Sequence, residues 1–201
     1  EVTTALEFPT DWGLGSSSTL ICCVAQCFDI DPMPLHFKVS NGSGYDVACG
    51  MTDSAITYQF DDGLVAVKPI DWKPSFNASL FFVYLNTKQK SSSEVSKYQD
   101  RKLSFDINAI AAEISVLTQT MLNAESLEAF NQAMVEHEEL MSSVLGYPTV
   151  KQLYFSDYKG AVKSLGAWGG DFVLATGSFE DRAYFIEKGY DVIEEYDALI
   201  L

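Results

Sequence analysis

Pro9-Thr10-Asp11-Trp12-Gly13-Leu14-Gly15-Ser16-Ser17-Ser18 runs directly into Thr19-Leu20-Ile21-Cys22-Cys23-Val24-Ala25-Gln26-Cys27-Phe28. The second half is apolar almost all round, which predicts a buried helix, and the serines stand where its first turn begins. Glycines at 13 and 15 allow close backbone approach, and a helix start leaves unpaired N–H groups on the positive end of the helix dipole. The stretch therefore reads as an anion cradle. A plain glycine turn with a serine N-cap fits the same residues equally well. It is neither a Walker loop, having no Gly-Lys-Ser/Thr, nor a dinucleotide fingerprint, whose third glycine is missing.

Upstream, Val2 to Phe8 carries β-branched and aromatic residues and stops at Pro9, which predicts a strand entering a turn. Downstream, a turn-rich linker from Asp29 to Pro34 leads to a second glycine loop, Asn41-Gly42-Ser43-Gly44-Tyr45-Asp46, opening onto Val47-Ala48-Cys49. A carboxylate just after a narrow turn can reach a ligand as general base or charge partner; capping the next helix is the alternative use. Ala55 to Phe60, Leu64 to Ile70 and Leu80 to Asn86 read as three strands of one small meander. From about residue 87 the chain turns polar and then helical. Ile107, Ile110, Ile114, Leu117 and Met121 recur at steps of three and four, and Leu127, Phe130, Met134, His137, Met141 and Val144 do the same before Gly146 and Pro148. A third glycine loop, Gly166-Ala167-Trp168-Gly169-Gly170-Asp171, precedes the apolar strand Phe172 to Ala175, and Asp181 to Lys188 gives one more helix. Three glycines in five positions suit a docked phosphate, or simply a tight turn. The order predicts an α+β protein of two lobes, residues 1–95 and 96–201, with the change of periodicity near residue 100.

The chain has 201 residues, of which 47% are hydrophobic and 13% aromatic, enough for real cores. Its 13 Lys+Arg against 28 Asp+Glu give a net charge of −15, which disfavours nucleic acid and anionic membranes as partners. A phosphate would have to be held by backbone N–H groups and metal. No apolar run reaches a membrane span's length, and the N-terminus lacks the regions of a signal peptide, so the expected location is cytoplasmic. Cys22, Cys23 and Cys27 crowd one apolar stretch and read as small buried hydrophobes in a reducing compartment. His36 and His137 lie in unrelated contexts and suggest no zinc site. The chain opens on Glu1, without a methionine, and runs at once into strand-like sequence, so a truncated first domain is expected.

Taken together and in order, the three loops resemble the motifs of the GHMP kinases, the superfamily of galactokinase, homoserine kinase, mevalonate kinase and phosphomevalonate kinase. Pro9 to Ser18 is similar to its Pro-x-x-x-Gly-Leu-Gly-Ser-Ser phosphate loop. Gly42-Ser43-Gly44-Tyr45-Asp46-Val47-Ala48 is similar to the Gly-Ser-Gly-Phe-Asp-Val-Ala of phosphomevalonate kinases and to the Gly-Tyr-Asp-Ile-Ala of the bacterial GYDIA group. Leu165 to Asp171 resembles the C-terminal Gly-Ala-Gly-Gly-Gly-Asp motif. Asn86 to Ser92 is like a substrate-side Thr-Lys-x-x-Ser segment, and Glu136 to Leu140 with Leu145-Gly146-Tyr147 is like the Ser-His-x-x-Leu…Leu-Gly-Val helix end.

The resemblance implies a GHMP-kinase-like fold, with part of a ribosomal-protein-S5-like N-terminal lobe and a ferredoxin-like C-terminal lobe. It implies a kinase using ATP and Mg²⁺ to phosphorylate a hydroxyl or phosphate of a small mevalonate-like acceptor. Gly13, Leu14, Gly15, Ser16, Ser17 and Ser18 would wrap the ATP phosphates, with Ser17 also on the metal. Gly166, Ala167, Gly169 and Gly170 would close the site. Asp46 would be catalytic, and Ser43, Gly44, Tyr45 and Trp168 would line the substrate. Trp168 stands at a family glycine, Pro32 to Phe37 lacks the Glu that binds Mg²⁺ in mevalonate kinases, and the family's first motif is absent. These departures match the alternative, a catalytically degenerate GHMP-fold protein that binds nucleotide or a small anion. An exposed edge at Val2 to Phe8 would favour a homo-oligomer or association with a missing N-terminal segment. His137 reads as a packed, hydrogen-bonded histidine, and the acidic clusters Glu136, Glu138, Glu139 and Glu194-Glu195-Tyr196-Asp197 read as solvated faces.

Overall fold

The structure is a computed structural model that describes residues 3–61, 63–88, 106–166, 168 and 170–200. Its contacts divide the chain into two compact units, which meet in the sequence at Trp72 and Lys73. The expected lobe boundary at residue 95 lies outside the described residues.

The first unit opens with helix α1, Ser16–Phe28, followed by α2, Pro32–Val39, and α3, Tyr45–Gly50. Residues 3–8 are not a strand, contrary to their composition; a lone extended segment has no ladder to satisfy its backbone, and no described strand pairs with it. The linker read through Pro34 already belongs to α2. Asp31 caps that helix by accepting from the Met33 N–H at 2.9 Å, and Pro32 fills its first position, where the missing N–H costs nothing. The unit ends in an antiparallel hairpin of β1, Ala55–Asp61, and β2, Leu64–Ile70, in register from Ala55 opposite Ile70 to Asp61 opposite Leu64.

The third strand expected beside this hairpin belongs elsewhere. β3, Leu80–Tyr84, lies inside the second unit's four-stranded antiparallel sheet, between β5, Phe172–Thr176, and β6, Ile193–Glu195, with β4, Val162–Ser164, outside β5. Every residue of β3 is buried, the pattern of a strand covered on both faces rather than the alternation of a half-exposed meander. One face carries Phe81 and Val83 against Val173, Ala175, Phe155 and Phe185, with Phe81 and Phe185 edge to face at 5.7 Å. The other carries Phe82 and Tyr84, stacked or tilted on Tyr196 and Phe172.

The two periodic stretches are helices α4, Ile107–Leu122, and α5, Leu127–Leu145, which pack on each other. Asp106 and Ser126 cap their starts, and Gly146 ends α5 in the left-handed conformation at φ 63°. Short helices α6, Val150–Tyr154, α7, Arg182–Glu187, and α8, Tyr196–Leu199, complete the unit. The acidic tail is only partly a solvated face. Glu195 lies in β6 and makes a bidentate ion pair with the buried Arg182, whose guanidinium sits 4.3 Å above the Phe81 ring, and Tyr196 is buried. Among the described residues no helix is long and apolar enough to cross a membrane.

Candidate functional site

The loop at Gly13 is built by a turn in which the Trp12 N–H donates to the Pro9 carbonyl at 3.1 Å, followed by two left-handed glycines, Gly13 at φ 69° and Gly15 at φ 74°. Gly15 is the N-cap of α1. Its carbonyl accepts from the Thr19 N–H at 2.9 Å and the Thr19 hydroxyl at 3.1 Å. A glycine cap has no side-chain oxygen to offer the first turn, so no side chain caps α1, and no acidic residue lies in that turn. Ser16, Ser17 and Ser18 are thus the first helical residues rather than caps. The serine N-cap alternative does not hold. What remains is a helix start of thirteen residues' dipole with three hydroxyls on its first turn, Ser17 exposed and Ser16 and Ser18 half-buried.

The second loop is seated on α2. His36 is buried and its Nε2 lies 3.0 Å from the Gly42 carbonyl oxygen, which can only accept, so Nε2 carries the proton; Nδ1 has no hydrogen-bond partner among the described residues. The Gly42 N–H donates to Ser40 Oγ at 3.1 Å, and the Tyr58 hydroxyl donates to the Ser43 carbonyl. Gly44 has φ 86°, and a Cβ on it would meet Met33 Cε at 2.8 Å and His36 Cδ2 at 3.3 Å. The positive φ favours glycine here, and a Cβ would in addition have to displace the flexible Met33 tip and press on the His36 ring. Gly44 is also the N-cap of α3, so Asp46 lies inside the helix's first turn and is not its cap. Asp46 is exposed, but partial desolvation by its neighbours raises the carboxyl's pKa above the ordinary value, against the pull of the Tyr45 hydroxyl and His36. Burial and the Asp46 charge push the Tyr45 phenol up as well.

Helices α1 and α3 pack on each other through small residues. Cys22 Sγ donates weakly to the Val47 carbonyl at 3.7 Å and lies 3.1 Å from where a Cβ on Gly50 would stand. The two loops therefore sit on helices braced together in one unit. The four cysteines are free; desolvation raises the Cys22 thiol, and partial desolvation with the Asp46 charge raises that of Cys49, which keeps both protonated. Cys22, Cys23 and Cys27 are not the buried hydrophobes expected: Cys22 and Cys23 are half-buried and Cys27 is exposed.

The third loop joins β4 to β5 in the second unit. The Leu165 N–H donates to the Phe172 carbonyl at 3.1 Å, Gly166 is left-handed at φ 61°, and the buried Asp171 is left-handed at φ 50°. Asp171 ties the loop to β3's exit: its N–H donates to the Thr87 carbonyl at 2.9 Å and its carbonyl accepts from the Leu85 N–H at 2.7 Å. Thr87 and Lys88 thus begin beside the hairpin, while 89–92 of the same segment, and Ala167 and Gly169, lie outside the described residues. Trp168 is half-buried in the turn and Gly170 is buried. Among the described residues no group of three His, Cys, Asp or Glu side chains could hold a metal ion.

His36 is the residue that sequence reasoning passed over. Its role is set by the six-residue return to Gly42, which no local pattern announces. His137 is packed and hydrogen-bonded as expected, its Nδ1 3.2 Å from Lys163 Nζ, but its neighbour Glu138 is buried rather than solvated, an acid that the sequence placed on an exposed face.

No family model matches the sequence, and no curated protein matches it. Solved structures do. A Lin0012 protein from Listeria innocua matches with a TM-score of 0.68 at 18% identity, covering 88% of this chain and 63% of that one. The L. major mevalonate kinase in complex with R-mevalonate matches with a TM-score of 0.63 at 13% identity, covering 89% of this chain and 64% of that one. The fold is similar to that of a mevalonate kinase. At such identities the likeness is one of fold, and the chain spans just under two thirds of each of these proteins' length.

Proposed function

We propose that the protein is a small-molecule kinase of the GHMP type, using ATP and Mg²⁺ to phosphorylate a hydroxyl or phosphate of a mevalonate-like acceptor. The observation that carries this reading is the start of α1, where a left-handed glycine cap leaves the first-turn N–H groups without side-chain partners and no acid competes for them. Such a helix start favours a phosphate, which matters on a chain of net charge −15. Gly13 to Ser18 hold the nucleotide phosphates, with the Ser17 hydroxyl toward Mg²⁺. Bound Mg²⁺ would neutralise the charge that develops on the transferring phosphoryl group.

Asp46, Tyr45, Ser43 and Gly44 serve the acceptor. A carboxylate with a raised pKa accepts a proton from an acceptor hydroxyl more readily than an ordinary one. With a phosphate acceptor, Asp46 orients the acceptor through its hydrogen-bonding oxygens instead. The His36 seat under Gly42 holds the loop from which Asp46 projects.

Trp168, half-buried where the resembling motif has glycine, favours a second reading, a protein that binds nucleotide or a small anion without turnover. Calorimetric titration with ATP and Mg²⁺, followed by product analysis against mevalonate-like and sugar acceptors, separates the two. The kinase reading expects heat and product. Heat without product on any acceptor leaves the binder, and no heat at millimolar nucleotide overturns both.

A further inference from the structure

One turn of the first unit is held through two consecutive carbonyls by two different elements. His36 on α2 donates from Nε2 to the Gly42 carbonyl at 3.0 Å, and Tyr58 on β1 donates its hydroxyl to the Ser43 carbonyl. Gly42 and Gly44 flank that single serine, and glycine leaves the backbone more freedom than any other residue, so the turn has little stiffness of its own. Asp46 stands two residues beyond it, in the first turn of α3. Packing requires neither polar group. Ile56, Tyr58 and Phe60 share one face of β1, where Tyr45 meets the Tyr58 ring edge to face at 6.4 Å and Phe37 meets the Phe60 ring at 6.0 Å. A phenylalanine would pack at position 58 as one does at position 60. His36 is 7% exposed, and its Nδ1 is buried without a hydrogen-bond partner among the described residues, a penalty that one bond to a carbonyl of an exposed turn does not offset. What the imidazole and the phenol have in common is the turn they hold.

We propose that Tyr58 is a positioning residue for Asp46, acting with His36 as a two-point clamp on the turn from Gly42 to Gly44. Its bearing on catalysis rests on the reading of Asp46 as the group that serves the acceptor. Tyr58 reaches α3 a second time through the Tyr45 ring, so the strand fixes both the turn that starts the helix and the residue beside the carboxylate.

The test uses Tyr58→Phe, His36→Leu and His36→Gln, each in the whole 201-residue chain. Tyr58→Phe keeps the ring and deletes only the hydroxyl, so it remains informative should His36→Leu fail to fold. Glutamine keeps an N–H donor for Gly42, which leucine lacks. Hydrogen exchange at the Ala48 amide, which closes the first turn of α3 on the Gly44 carbonyl, should accelerate by at least about tenfold in Tyr58→Phe and His36→Leu, and stay near the parental rate in His36→Gln. The Ile30 amide, bonded to the Ala25 carbonyl at the end of α1, should exchange at the parental rate in all three, which separates a loosened turn from a loosened unit. With Mg²⁺-ATP and mevalonate, turnover should fall about tenfold or more in the first two variants and recover in His36→Gln, while affinity for Mg²⁺-ATP stays parental. Both His36 variants lose the imidazole charge that bears on Asp46, so recovery in His36→Gln assigns the effect to the bond. Parental exchange at Ala48 in Tyr58→Phe, an acceleration that Ile30 shares, or equal losses in the two His36 variants overturns the proposal. A parent protein that phosphorylates no acceptor overturns the kinase reading instead, and leaves exchange at Ala48 to decide on the clamp.

Discussion

Gly15 and Gly44 are both left-handed helix caps, but they differ in how crowded a side chain would be. A Cβ on Gly15 would meet nothing within 4 Å, so only its φ of 74° opposes a side chain. Gly15→Ala should cost about 1–2 kcal/mol in stability, the strain of an L-residue in that region, while placing a methyl where a phosphate would approach the helix start and so weakening Mg²⁺-ATP binding. Chemical denaturation and titration read the two effects separately; unaltered nucleotide affinity would remove the loop from the site. Asp46 is argued differently, from its titration. As a general base it must be ionised, and its raised pKa means that activity should climb with pH through a value above that of an ordinary Asp. Asp46→Asn should retain nucleotide binding and lose about 100-fold or more in turnover, the usual scale for a positioned acid–base group. Near-parental turnover would reduce Asp46 to a favourable charge on the first turn of α3.

Helix α5 shows which elements their own sequence can announce. Its stripe from Leu127 to Val144 and its stop at Gly146 are local signals, and the helix follows them closely. Glu138 sits four residues after Met134, on that same stripe, but its partner Lys163 is 25 residues away and only the folded sheet brings them together. β3 was legible as a strand and not as a member of the second sheet, since a run buried on both faces carries no alternation to say which neighbours it has. Pro32 hid α2, because the same residue opens helices and ends them. The glycine loops were legible as loops, whereas the His36 seat depended on a return of the chain. His137 gives this element a measurable pH dependence. Its pKa falls from 6.5 to about 4 on folding, so between those values the unfolded chain takes up a proton that the folded chain refuses. Stability should therefore drop as pH falls from about 6.5 toward 4, and His137→Gln, which keeps an acceptor for Lys163, should flatten that part of the curve. An equally steep curve in the variant would assign the proton elsewhere.

The two units are unequally stabilised. The second buries Phe81, Phe155, Phe172, Phe185, Leu80 and Met134 almost completely, each worth about 1.5–3 kcal/mol of transfer free energy. Among the described residues of the first, the buried apolar side chains are small ones, Ala25, Val47, Ala48 and Pro32, while Phe28, Phe37, Val39, Phe60 and Leu64 stay exposed and no described residue of the β1–β2 hairpin is buried. Ordering each residue's backbone costs about 1–2 kcal/mol, so a unit with so little burial opens at lower free energy than one with an aromatic core. Hydrogen exchange should show α1, α3 and the β1–β2 hairpin far less protected than β3 and β5, and thermal unfolding should proceed in two steps, the first accompanied by dye binding to exposed apolar surface. If the first unit holds the nucleotide phosphates, Mg²⁺-ATP binds its folded form alone and should raise the protection of α1 and α3 in proportion to ligand concentration, leaving β3 and β5 unchanged. Uniform protection across both units would mean that they fold as one cooperative body. Ligand protection confined to β4 and β5 would move the nucleotide away from Gly13 to Ser18.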